Sequence, residues 1–141
     1  MSLNSTRTAH SGTPEYPTPC VLVERMVNEL VSTEKWNWVT FETEPMKHFV
    51  EVAHDGGDDL EINVAYGFSE DYKDLFARHG LSIPDDWLVK EFKKKGWLGS
   101  GTMLLAATVR EIDRVALFID VCFKTIYGKS EGYQLSGVFR S

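Results

Sequence analysis

Cysteine is scarce in this chain: Cys20 and Cys122 are the two thiols, and they stand far apart. Two such residues are no disulfide framework. Both fall within apolar helical patterns, where a free thiol behaves as a small hydrophobe. A reducing cytoplasm is the compartment this implies. The polar N-terminus has no apolar stretch of the signal-peptide kind. Uncharged long apolar runs are also missing. Met103 to Tyr127 has the length to cross a bilayer, but charges spread through it, so no membrane partner is expected. Positive charge is in deficit too. With a net charge of −6, the chain repels phosphate backbones, which argues against nucleic acid.

Catalytic signatures are equally thin. There is no Gly-x-Ser-x-Gly elbow and no His-Glu-x-x-His. The glycine-rich stretch Leu98-Gly99-Ser100-Gly101-Thr102 precedes an apolar run read as a helix, a place where phosphate can bind. It lacks the Lys-Ser/Thr of a P-loop and the glycine spacing of a dinucleotide fold, so it reads as a helix entry. His48, His54, Asp55, Asp58 and Asp59 are the one dense group of potential metal ligands. The acids lie in a turn where Asp is expected for local hydrogen bonding, and the two histidines are six residues apart. No metal or cofactor is expected. Cys122, on an apolar helix side, has the marks of an inert buried thiol. Glu51 and Glu61 can face each other across strands, yet nothing marks the pair as catalytic.

What is present is an ordinary globular composition, 43% hydrophobic and 26% charged over 141 residues, with 12% aromatic. This suits one domain, read as residues 18–141 behind a Ser-, Thr- and Pro-rich segment 1–17 without structure. Thr18-Pro19 opens a helix as N-cap and first position. Leu22, Val23, Met26, Val27, Leu30 and Val31 follow at helical spacing, and the helix ends near Ser32.

Three alternating runs come next. Trp36, Trp38 and Thr40 oppose Val39 and Phe41; Phe49, Glu51 and Ala53 oppose Val50 and Val52; Leu60, Ile62, Val64 and Tyr66 oppose Glu61, Asn63 and Ala65. These are strands, and Asp55-Gly56-Gly57-Asp58 is a hairpin turn. Ser69 caps a short helix through Leu75 and Phe76, closed by Gly80. Pro84 to Lys94 reads as a further helix with Trp87, Leu88 and Phe92 inward, and its lysines Lys90, Lys93, Lys94 and Lys95 complement a helix C-terminus. Met103 to Tyr127 reads as one long helix. The tail, with Tyr133, Leu135 and Val138, reads as an edge strand or an ordered tail. The fold class is α+β, an antiparallel meander of three or more strands with helices on one face.

On a helical wheel, Arg110, Glu111, Asp113, Arg114, Asp120 and Lys124 take one half of the last helix. Val109, Ile112, Val115, Ala116, Ile119, Cys122, Phe123 and Ile126 take the other. Leu117, Phe118 and Val121 break the rule by projecting among the charges. Another element of the chain covers them or a partner does. Trp36 and Trp38 offer a second candidate patch, on the sheet face that helices leave bare. The expected partner is therefore a protein, a second copy of the chain included.

The pattern of the Pro19–Val31 helix, the Phe49–Ala53 and Leu60–Tyr66 strands, the Leu75 to Pro84 segment and a last helix ending Phe123-Lys124-Thr125-Ile126-Tyr127-Gly128 resembles the type III secretion chaperone-like family, YbjN-like members included. The resemblance implies a small acidic protein-binding module, and it brings no catalytic residues. It also implies two further strands before the last helix, where Pro84–Gly101 reads as helix and loop. Two other functions fit the residues: a small acidic immunity or inhibitor protein against a basic toxin domain, and a ligand binder or enzyme working in the sheet–helix crevice with His48, His54, Glu51 and Ser100.

Overall fold

The structure is a computed structural model that describes residues 5–44, 48–66, 72–93 and 101–141. In chain order its elements are β1 (Thr6–His10), α1 (Pro19–Ser32), β2 (Trp38–Glu44), β3 (His48–His54), β4 (Asp59–Tyr66), α2 (Tyr72–Arg78), β5 (Leu88–Lys93), β6 (Gly101–Thr108), α3 (Ile112–Thr125) and β7 (Ser136–Arg140). A 3-10 turn, Val109–Glu111, leads into α3. The strands form one seven-stranded sheet in the order β1-β7-β2-β3-β4-β6-β5, and every neighbouring pair is antiparallel. The fold is α+β.

Strand alternation decides which way the sheet faces, because successive side chains point to opposite sides. One row across the sheet runs Phe139, Val39, Val52, Ile62, Leu105 and Val89 by strand register. The next row runs Gly137, Phe41, Val50, Val64 and Met103. All but the edge residue Val89 are buried. They share one core with Leu22, Val23, Met26, Val27 and Leu30 of α1, Leu75 and Phe76 of α2, and Val115, Ile119 and Phe123 of α3. The described helices therefore lie on one side, and among the described residues the other side of the sheet carries none.

Helix α1 obeys its local signals. Thr18 Oγ1 accepts from Val21 N at 3.2 Å and Pro19 opens the first turn. The helix comes unusually close to β7. A Cβ built on Gly137 would lie 2.3 Å from Met26 Sδ and 3.2 Å from Phe41 Cε1, so any larger residue requires the Met26 thioether to move aside. At the turn between β3 and β4, Gly56 takes φ 98° and the Asp55 carboxylate accepts from Gly57 N at 3.0 Å.

Four expectations need correction. Thr6–His10 is no unstructured leader but a strand paired along its length with β7. The tail supplies β7 itself, which lies inside the sheet between β1 and β2 rather than at an edge. Leu88–Lys93 is strand β5, not helix, and Gly101–Thr108 is strand β6, so the last helix starts only at Ile112. Leu, Ala, Lys and Glu favour helices in isolation. Here β6 is inserted between β4 and β5, and the ladder partners on both sides override that preference. In consequence Lys90 and Lys93 stand on a strand, and the stretch through Gly101-Thr102 enters a strand, so no helix N-terminus follows it. Ser69, Lys94, Lys95, Gly96, Trp97 and Leu98 to Ser100 lie outside the described residues.

Candidate functional site

Helix α3 presents its wet side through Leu117 and Val121, one turn apart and 58% and 36% exposed. Beside them the chain leaves α2 through Gly80 at φ 67°, and the segment Leu81 to Pro84 runs alongside the helix. Between the two lies an open groove of about 370 Å³, lined by Leu81, Pro84, Arg114, Leu117, Phe118 and Val121. The same patch thus carries an apolar ridge and an apolar furrow.

One wall of the groove is tied down by charge. The Arg114 guanidinium grips both Asp86 oxygens at 3.0 and 3.1 Å and also bonds Glu111. The Arg114 hydrogen bond holds the Asp86 carboxyl below its ordinary range. Glu111 is a hub, accepting from Trp87 Nε1 at 3.1 Å and from Thr108 Oγ1 at 3.1 Å. A bidentate guanidinium–carboxylate pair fixes geometry as well as charge, so the turn before β5 is pinned to the start of α3.

Two further members of the expected patches, Phe118 and Trp36, are not exposed. Phe118 is 5% exposed, edge-on to Trp87 at 5.1 Å and tilted against Phe76 at 6.3 Å. The chain itself covers it. Trp36 precedes β2 rather than lying in it, and it is buried, stacked on Phe139 at 5.2 Å and 14°. Phe118 therefore contributes to the groove's lining without standing exposed beside Leu117 and Val121, and Trp36 is buried against Phe139 rather than exposed with Trp38.

Trp38 stands half-buried on the sheet face that none of the described helices covers. The row across that face runs Trp38, Ala53, Glu61, Ala106 and Leu88. Small residues on both sides of Glu61 leave a depression. A cavity of about 460 Å³ lies there, lined by Trp38, Ala53, Asp55, Asp59, Glu61 and Lys90 among others. Lys90 Nζ meets Glu61 Oε1 at 3.1 Å although β6 intervenes, which the small Ala106 permits. Glu51 shares the face but is engaged by Thr40 Oγ1 at 3.2 Å. Glu51 and Glu61 thus have separate partners and do not act as a pair.

A third cavity, of about 410 Å³, was not foreseen from sequence. It lies where the start of α1 meets the end of α3, and its lining includes Thr18, Cys20, Asp120, Lys124, Glu131 and Tyr133. Asp120 accepts from Tyr133 Oη at 2.8 Å and from Lys124 at 3.1 Å, while Lys124 also meets Glu131 at 3.0 Å. Its charges are mutually satisfied. Burial, then the bond to Asp120, drives the Tyr133 phenol far above its ordinary range. Burial and the Asp120 charge raise the Cys20 thiol, the opposite of what a nucleophile needs. Cys122 is fully buried, and desolvation raises its thiol further. The only hint in the sequence was that Asp120 and Lys124 share one helix face at i,i+4.

The His54 ring nitrogen Nε2 lies 2.8 Å from the Gly57 carbonyl, bracing the hairpin turn. The His48 side chain lies outside the described residues. Among the described residues no three His, Cys, Asp or Glu side chains converge as metal ligands, and no helix is long and apolar enough to cross a membrane. No protein-family model, curated protein or solved structure matches the chain.

Proposed function

We propose that the protein is a non-enzymatic protein-binding module of the chaperone or adaptor kind that pairs with a second copy of itself through α3. The observation that carries this is the exposed Leu117–Val121 ridge beside its own apolar furrow. A two-fold contact uses the same patch on both subunits, so that patch must be self-complementary. A ridge one turn long next to a groove meets that condition: each copy's Leu117 enters the other's furrow against Leu81 and Pro84. Element order supports the reading. Helix α1, the β2–β4 meander, α2, the pair β5–β6 and α3 follow the order that resemblance to the secretion chaperone-like family implies, including the two strands before the last helix.

Multi-angle light scattering over a concentration series tests the pairing. A dimer is expected for the native chain and a monomer for Leu117→Glu, with unchanged helix content. A native chain that stays monomeric at high concentration, with Leu117→Glu equal to it in stability and solubility, would sink the idea.

A second reading, an acidic inhibitor of a basic protein domain, is favoured by a different observation: the carboxylates Asp55, Asp59 and Glu61 around the Trp38 depression. Charge of this kind steers a basic partner in.

A further inference from the structure

We infer that the depression at Trp38 is a binding site for an arginine side chain of a protein partner. The site lies across the sheet from α3 and does not depend on the pairing proposed above. Three features converge. The cavity holds about 460 Å³, ample for a side chain of that length. Trp38, half-buried, lines it together with His54, and an indole face attracts a cation. The rim is acidic: Asp55, Asp59 and Glu61 against Lys90. Two of those carboxylates, Asp55 and Asp59, are exposed.

The occupant must therefore be cationic, and a planar guanidinium suits the site better than an ammonium. It stacks flat on an aromatic ring and takes a carboxylate at its edge in the same pose. Alanines at 53 and 106, on either side of Glu61 in the strand register, leave Glu61 open from above. The protein already places a cation there, for Lys90 reaches over β6 to Glu61 at 3.1 Å. Lys90 is an internal competitor, and an incoming arginine displaces its ammonium from Glu61 into solvent.

The competitor makes the inference testable with variants that act in opposite directions. A fluorescein-labelled hexa-arginine peptide and its hexa-lysine counterpart are titrated with the full chain at near-physiological ionic strength, read by anisotropy. Trp38→Ala is expected to weaken the arginine peptide about tenfold. Glu61→Gln should weaken it as well, whereas Lys90→Ala should tighten it roughly threefold. Asp113→Asn removes an equal charge on exposed α3 and should change binding by less than about twofold if the site is local. The lysine peptide should bind several-fold more weakly than the arginine peptide.

The inference is overturned if the native chain does not bind hexa-arginine, if Lys90→Ala fails to tighten, if Asp113→Asn costs as much as Glu61→Gln, or if both peptides bind alike. Circular dichroism checks that each variant folds. The Lys90 change, at an exposed side chain, decides the question even if Trp38→Ala does not fold.

Discussion

The Tyr127 hydroxyl donates to the Ala65 carbonyl at 2.7 Å and lies 2.9 Å from the Phe49 carbonyl. One proton is shared between two acceptors, at the place where the β3–β4 ladder stops at Val50–Val64. Gly128, at φ 67°, turns the chain out of α3 immediately after Tyr127. The end of the helix thus plugs the end of the sheet. Tyr127→Phe keeps the ring but leaves buried carbonyls without that donor. Its expected cost is about 1–3 kcal/mol in urea unfolding; a cost near zero would mean that the hydroxyl is not what closes the ladder.

Alkaline pH should loosen the fold. Burial raises the Tyr127 and Tyr133 phenols and the Cys122 thiol above their ordinary values. The unfolded chain releases these protons from about pH 9–10 upward, while the native chain retains them. Stability from these groups is therefore complete below that range and declines as pH rises through it. Thermal unfolding followed from pH 7 to 11 is expected to show a falling Tm above about pH 9, and Tyr127→Phe should flatten part of the fall.

The contact of Met26 with Gly137 should register a single added methyl group. A Cβ at Gly137 would overlap Met26 Sδ at 2.3 Å, and the buried Met26 side chain would have to take another rotamer against its neighbours. Gly137→Ala is expected to cost about 1–3 kcal/mol. In the double variant Gly137→Ala with Met26→Ala the added methyl should cost less, because the sulfur is gone. Additive costs in a double-mutant cycle would contradict the close approach.

The two sides of β4 should respond differently. Ile62 is fully buried on the helix side and Asn63 is half-exposed on the bare side. Ile62→Ala is expected to cost on the order of 2–5 kcal/mol, and Asn63→Ala far less. Chemical denaturation of both variants checks the strand register, since equal costs would require Asn63 to face the core.

Thiol chemistry provides an independent check of α3. Cys20 is half-buried at a cavity wall, whereas Cys122 is fully buried. Titration with a disulfide reagent should count one reacting thiol in the native protein and both in denaturant. Two fast thiols in the native state would place α3 wrongly.

Local chemistry made part of this fold readable. Helix α1 announces itself through Thr18-Pro19 and apolar spacing, and β2 to β4 through strict alternation. Both signals live within a few residues. Strands β5 and β6 carry the Leu, Ala, Lys and Glu of a helix, and what makes them strands is pairing: β6 lies between β4 and β5, and β5 runs along β6. Strand β1, Thr-Arg-Thr-Ala-His, has no apolar period at all and exists because β7 is there to pair with it. The same divide runs through the candidate surfaces. The helical wheel placed Leu117 and Val121 outside, and they are outside. Phe118 shares that side of the wheel, but Phe76 and Trp87 arrive from distant segments to cover it. The Trp38 depression needed the register of four strands to line up Ala53, Glu61 and Ala106.

The position of β7 has a consequence for how the protein is made. Its residues Ser136–Arg140 fill the gap between β1 and β2, so β1 has no ladder partner until Ser136–Arg140 has been synthesised. Until then Met26 has no glycine beneath it, and the β2 edge stands open as a template for stray pairing. Joining ends so far apart costs closure entropy before any contact repays it, and that topology slows folding. Strand β7 acts as a keystone: the nascent sheet should stay exposed to proteases and chaperones until Arg140 clears the ribosome.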